Sequence, residues 1–305
     1  MTELQRYLAE EVAEDHADGI VTRREAVRRL GLLGVSGSAA VAMLGAAAGE
    51  AAAKHAGVAG GHGRRHGRVA EWAPTTTEAI TFAGPRGTLM AAWAPAAGKA
   101  HGSVLVIHEN RGLNDHIRNV AGRFAASGYS ALALDLLSEE GGTASFPGEA
   151  EVGAALSAAP PARFDEDMKA AVTELRRRAP RKRTNAIGFC FGGGMVWRLL
   201  AAGEKRLDAA APFYGPFPTG GDLSGARAGV IGVYAGLDAR VNATRDAARA
   251  ALEAAGLDHQ IATFTQAEHG FFNETGARFN APAAQEAWHR VLALFGHPHG
   301  NGHWH

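Results

Sequence analysis

Asn185-Ala186-Ile187-Gly188-Phe189-Cys190-Phe191-Gly192-Gly193-Gly194 begins as an apolar strand, closes on Gly-x-Cys-x-Gly-Gly and leads into the helical run Met195 to Ala202. Strand, sharp turn and helix in that order form a nucleophile elbow, here with sulfur where serine is more usual. Such a turn forces its central residue into a left-handed backbone conformation, and the flanking glycines are needed because a side chain there would collide with the turn. Cys190 then stands at a helix N-terminus, where free N–H groups and the macrodipole favour a thiolate. It is the only cysteine of the chain, so it has no intramolecular disulfide partner and builds no cysteine metal site.

Outward from the elbow, strand-like and helix-like patterns alternate from about Trp72 onward. Thr75 to Phe82 and Thr88 to Ala94 are β-prone runs joined by Gly84-Pro85-Arg86-Gly87, which reads as a hairpin. Ser103 to His108, Tyr129 to Leu137 and Thr184 to Phe189 are continuous apolar runs, as expected of strands buried on both faces. Asp115 to Ser127 carries Ile117, Val120, Phe124 and Ala125 on one helical face. Phe164 to Arg178 is an amphipathic helix with an acidic start and a basic end. Leu207 to Tyr214, Gly229 to Tyr234 and His259 to Thr265 read as further strands, and Thr244 to Ala255 and Ala283 to Phe295 as helices. Gly141 to Pro161 reads as a loop or short-helix insertion over the site. An antiparallel start followed by alternating strand and helix predicts an α/β-hydrolase fold: a mostly parallel central sheet, helices on both faces and an antiparallel N-terminal hairpin.

In such a sheet, catalytic groups collect at the carboxyl ends of the strands. Cys190 ends one strand, Asp238 lies just past another in Tyr234-Ala235-Gly236-Leu237-Asp238, and His269 follows the last in Ala267-Glu268-His269-Gly270-Phe271. Glu109 follows Val106-Ile107-His108. The chain order nucleophile, acid, histidine is that of α/β-hydrolase triads. A thiol is mostly protonated at neutral pH; His269 can take its proton and later return it to the leaving group, while Asp238 holds the imidazole in the productive tautomer. The backbone N–H of Phe191 is one natural oxyanion donor, and a second is expected near Asn110. Arg111, Tyr214 and Phe271 are candidates for touching substrate. His108 and Asp135 read as structural, Asp135 because it precedes the nucleophile in the chain. Trp197 and the Phe271-Phe272 pair read as core or pocket wall.

The 305 residues suffice for one large domain, and 31 basic residues balance 31 acidic ones, so nothing points to a nucleic-acid partner. The start of the chain has its own character. Met1 to Ile20 is polar and acidic, Thr22 to Leu30 contains the pairs Arg23-Arg24 and Arg28-Arg29, and Gly31 to Ala48 is weakly apolar. With Ala46-Ala47-Ala48 and Ala51-Ala52-Ala53 as small-residue cleavage sites, residues 1–53 resemble a twin-arginine export signal. This predicts an exported protein that meets the twin-arginine machinery and has no stable membrane span in its mature form; a basic amphipathic helix with an Ala-rich linker in a cytoplasmic protein is the alternative. Residues 54–71 read as a flexible linker, 72–296 as the catalytic domain, and 297–305, with four histidines and nothing to fix ligand geometry, as a disordered tail rather than a metal site.

The chain resembles the dienelactone hydrolase (carboxymethylenebutenolidase-like) family. The likeness rests on residues 108–118 (His-Glu-Asn-Arg-Gly-Leu-Asn-Asp-His-Ile-Arg), on 128–137, on Gly188-Phe189-Cys190-Phe191-Gly192-Gly193 and on His269-Gly270-Phe271. It implies a single α/β-hydrolase domain without a cofactor or metal, acting on small esters or lactones with a Cys, Asp and His triad. It also implies that Glu109 interacts with the cysteine and helps generate the thiolate when substrate arrives. In one respect the chain departs from the family. Where the best-known members carry an arginine for the substrate carboxylate shortly after the histidine, this chain has Gly270-Phe271-Phe272-Asn273-Glu274 and no arginine before Arg278; Arg163 and Arg111 are the other candidates. A broad carboxylesterase or thioesterase, and a non-catalytic exported binding protein on the same fold, remain as alternatives.

Overall fold

The computed structural model describes residues 1–57 and 74–296. They divide into two compact units: one takes in 1–57 with 144–160, the other 74–143 with 161–296.

The larger unit is built on one eight-stranded sheet. Its strands are β1 (Glu78–Gly84), β2 (Gly87–Ala94), β3 (Gly102–Ile107), β4 (Tyr129–Asp135), β5 (Arg183–Phe189), β6 (Ala209–Phe213), β7 (Gly229–Ala235) and β8 (His259–Phe264), in the spatial order β1-β2-β4-β3-β5-β6-β7-β8. β1 pairs antiparallel with β2, and β2 antiparallel with β4; every other pairing is parallel. The predicted α/β-hydrolase architecture is therefore present. From β3 the chain first moves toward β4 on one side and then returns to β5 on the other. That reversal opens a crevice at the carboxyl ends of β3 and β5, the usual place for a site in an open α/β sheet.

β3, β4, β5, β6 and β7 are buried almost throughout, as their unbroken apolar runs require. Tyr129 to Leu137 was expected as one strand, but β4 stops at Asp135. There the Asp135 carboxylate accepts the N–H groups of Leu137 and Thr143 and the Thr143 hydroxyl, turning the chain away from the sheet. Asp135 is structural, as its position in the chain suggested.

The α-helices among the described residues, in order, are α1 (Glu3–Ala17), α2 (Arg23–Leu32), α3 (Gly37–Gly57), α4 (Asp115–Ala126), α5 (Glu149–Ala158), α6 (Pro161–Arg178), α7 (Phe191–Ala201), α8 (Ala239–Asn242), α9 (Arg245–Ala254) and α10 (Ala281–Gly296). α6 begins three residues earlier than its apolar face indicated, with Pro161 at its first position, where a missing N–H costs nothing. Arg86, at the tip of the β1–β2 hairpin, reaches Glu139 at 2.5 Å, Asp167 at 2.8 Å, Glu166 and the Arg163 carbonyl, fastening the hairpin to α6.

The smaller unit consists of α1, α2, α3 and α5, which pack on one another. α1 opens with a capping box, Thr2 accepting the Gln5 N–H at 3.1 Å and Gln5 reaching back to the Thr2 N–H at 2.8 Å. Leu8, Ala9, Ala26, Leu30 and Ala40 are buried on α1–α3, as are Val152 and Leu156 on α5. Arg28 bridges Glu25 and Glu151, and Arg29 pairs with Glu25. α5 is the short helix allowed for within Gly141 to Pro161. α3 runs through Gly57, four residues into the expected linker, because the alanine run before it favours helix; the rest of that linker and the tail 297–305 lie outside the described residues. No helix among the described residues is long and apolar enough to cross a membrane.

Candidate active site

β5 delivers Cys190 to the N-cap of α7 with φ 56° and ψ −120°, a strained conformation for a residue bearing a side chain. The glycines around it are there because backbone passes against backbone. A Cβ on Gly188 would stand 2.1 Å from the Gly192 carbonyl oxygen, and one on Gly192 would stand 2.4 Å from that of Ile107. The Cys190 N–H is anchored on the Phe213 carbonyl at 3.0 Å, which ties the elbow to β6. Phe191 opens α7 next to the sulfur, so its N–H belongs to the first turn, where no intrahelical acceptor exists; its ring packs on His108 and Phe164.

Register explains which side chains meet here. Ile107 of β3 pairs with Gly188 of β5; two residues further along each strand come Glu109 and Cys190. Phe189 of β5 pairs with Phe213 of β6; one residue further come Cys190 and Tyr214. Adjacent strands lie about 4.8 Å apart, so Glu109, Cys190 and Tyr214 come just beyond the ends of three neighbouring strands. Burial first, then the nearby Glu109 and Cys190, push the pKa of the Tyr214 phenol well above its ordinary value. Tyr214 adopts φ 34°, and its ring meets those of His269 and Phe271 edge-on at 5.1 and 5.4 Å.

The other arm comes from the ends of β7 and β8. Asp238 caps α8, one oxygen accepting the Val241 N–H at 3.0 Å and the other lying 2.6 Å from His269 Nδ1. Burial by itself raises the pKa of Asp238; the adjoining imidazole, helped by Arg240 and the Val241 N–H, more than reverses this and brings it to about 2. The Cys190 sulfur lies within 4.8 Å of a His269 ring nitrogen. The structure thus brings Cys190, His269, Asp238, Glu109 and Tyr214 to one crevice in the larger unit. Asn110 and Arg111 occupy the turn closed by the Gly112 N–H on the Glu109 carbonyl at 3.1 Å, and both are half-buried. Phe271 is fully buried, against Tyr214, Phe213 and Phe264.

His108 is a structural residue. Its Nε2 accepts the Leu136 N–H at 3.1 Å, so Nδ1 carries the proton and donates to the Glu109 carbonyl at 2.7 Å. Burial lowers its pKa, and the neutral ring is what both bonds require. Arg163, the candidate before the elbow, pairs with Glu140 at 2.5 Å and donates to the Leu136 carbonyl at 3.0 Å. Sequence reasoning gave no role to Asn273 or Glu274. Asn273 donates to Glu109 Oε2 at 2.8 Å, and Glu274 pairs with Arg123 and lies 2.9 Å from His116 Nδ1 on α4. The available signal was Asn273-Glu274-Thr275-Gly276, a turn sequence in which asparagine caps its own backbone.

Residues 90–298 match the dienelactone hydrolase family profile. A Methylorubrum extorquens protein described as a "putative carboxymethylenebutenolidase" is 30% identical over 218 residues, covering 66% of this chain and 74% of its own. A Synechocystis protein of the same description is 31% identical, covering 66% and 88%. Among solved structures, a "putative dienelactone hydrolase" from Klebsiella pneumoniae superposes with a TM-score of 0.62 at 26% identity, covering 72% of this chain and 99% of its own.

Proposed function

We propose, from the premise that this chain belongs to the dienelactone hydrolase family, that it hydrolyses small esters or lactones through a cysteine nucleophile. The observation that carries this reading is the Asp238–His269 pair at 2.6 Å with the sulfur of a strained Cys190 within 4.8 Å of the same imidazole. His269 takes the thiol proton and the Cys190 sulfur attacks the substrate carbonyl. The Phe191 N–H, with the N–H near Asn110, receives the negative charge of the tetrahedral oxygen. His269 protonates the departing alcohol oxygen, leaving an acyl thioester on Cys190; in a lactone that alcohol stays tethered to the acyl group. Water, giving its proton to His269, then releases the acid and restores the thiol. Glu109 acts on the protonation of the sulfur; Tyr214, with Phe271 packed on its ring, and Arg111 are the residues offered to the substrate.

Cys190→Ala is expected to lower kcat/KM on p-nitrophenyl esters and enol-lactones by about four orders of magnitude or more, since the nucleophile's loss removes the covalent route. Retained activity of that variant on every substrate cleaved by the native protein refutes the assignment. Export by a twin-arginine route is a separate part of the proposal, resting on Arg23-Arg24 or Arg28-Arg29 before a weakly apolar stretch. Protein recovered from the native host should begin near Glu50 or Lys54; an intact Met1 in a cytosolic fraction removes it.

A further inference from the structure

The segment that follows the catalytic histidine is pinned at each residue. Phe272 stacks on Phe189 of β5 at 5.1 Å and meets Phe213 of β6 at 5.3 Å. Glu274 is paired with Arg123 of α4. Between them Asn273 is buried, and its amide is fixed end to end. Its Oδ1 accepts two donors, the Thr275 N–H at 3.0 Å and the Thr275 hydroxyl at 2.7 Å. With the oxygen so committed, the amide cannot flip, and its Nδ2 must point the other way. There it meets Glu109 Oε2 at 2.8 Å. Glu109 is itself buried; it lies two residues past the last β3–β5 rung, as Cys190 does on β5, and both act on the Tyr214 phenol.

A buried carboxylate without a donor is costly, and a turn that can offer only N–H to it fixes where the carboxylate sits. We propose that Asn273 is a positioning residue of this hydrolase: through one buried amide N–H it holds the Glu109 carboxylate against Cys190, and so couples the loop that carries His269 to the acid on the opposite side of the sulfur. The proposal rests on the assignment of Cys190 as nucleophile given above. The Asn273 amide is committed to Thr275 and Glu109, so its effect passes through Glu109.

A double-mutant cycle tests this. Asn273→Asp keeps an oxygen for the Thr275 donors and replaces the N–H facing Glu109 with a second acceptor. In the native background it is expected to lower kcat/KM roughly tenfold or more, mainly in kcat, and to slow iodoacetamide alkylation of the single cysteine at least roughly threefold. In the Glu109→Gln background the same substitution should change both quantities by less than about twofold, because a glutamine amide can donate to the new aspartate and restore the bond in reverse. Equal effects in the two backgrounds overturn the proposal, since a merely structural role, or simple repulsion of the thiolate by the new charge, does not depend on what occupies position 109. If Asn273→Asp fails to fold by thermal melting, Asn273→Ser, shorter and uncharged, enters the same cycle with the same criterion. The alkylation arm reads the sulfur without turnover. It therefore reads the Asn273–Glu109 coupling separately from the nucleophile assignment, which falls only if Cys190→Ala retains hydrolysis.

Discussion

Two carboxylates reach the neighbourhood of Cys190, and they are held in opposite ways. Asp238 gives one oxygen to His269 and the other to the first turn of α8; a cation-forming partner and a backbone N–H stabilise its charge. Glu109 is held by the uncharged amide of Asn273. An acid locked to an imidazole does one thing, which is to fix a tautomer and balance the imidazolium when it forms. Strand order explains why the two differ: Asp238 stands on the β7 side of the elbow and Glu109 on the β3 side, so each meets a different part of the loop that leaves β8.

That contrast can be broken most sharply by neutralising each acid in turn. Asp238→Asn is expected to lower kcat by about three to four orders of magnitude, because the wrong imidazole tautomer is then favoured. Glu109→Gln keeps an oxygen and the shape of the side chain, and is expected to cost on the order of a hundredfold, the size of an assisting proton or charge effect. Steady-state kinetics on one p-nitrophenyl ester ranks the two. If Glu109→Gln proves the more damaging, the ranking of the two acids is wrong.

The strands and the chemistry-bearing ends of β3, β5, β7 and β8 were legible because their signals are local. Apolar runs mark buried strands, and Gly188, Gly192 and Gly193 mark a turn in which backbones touch. What was not legible is carried by partners distant in the chain. Nothing near Asn273 says that its amide meets Glu109, 164 positions earlier, nor does anything near Glu274 announce Arg123. The end of β4 was missed for the same reason, since Asp135 recruits Thr143 from the far side of a turn. The start of the chain shows a further limit. Paired arginines followed by small apolar residues carry an export pattern and a helical pattern at once, and α2 and α3 satisfy the second without excluding the first.

Stability against pH sharpens the comparison by smaller effects. The pKa of Asp238 sits at about 2 in the folded protein, below the ordinary 3.8. Its contribution to stability is therefore fully present above about pH 4 and is lost as pH falls through 2, where the folded state must take up the proton. Urea midpoints of the native protein and Asp238→Asn should differ most near pH 5 and converge toward pH 2. A gap that stays constant, or widens in acid, means that the His269 partnership does not set the charge of this acid.

Asp167 supplies the opposite sign in the same unit. Burial raises its pKa to about 6, an effect that Arg86 only partly offsets. Here the folded state binds the proton more tightly than the unfolded chain does. The associated stability is present below about pH 4 and is lost as pH rises through 6. Asp167→Asn should remove that slope, leaving a thermal midpoint that varies less between pH 4.5 and pH 7, by roughly one or two degrees in a domain of this size. A variant whose midpoint still falls by the same amount over that range assigns the slope to a group other than Asp167. It would also show that in this fold a guanidinium at 2.8 Å can hold a buried acid in its charged form as firmly as His269 holds Asp238.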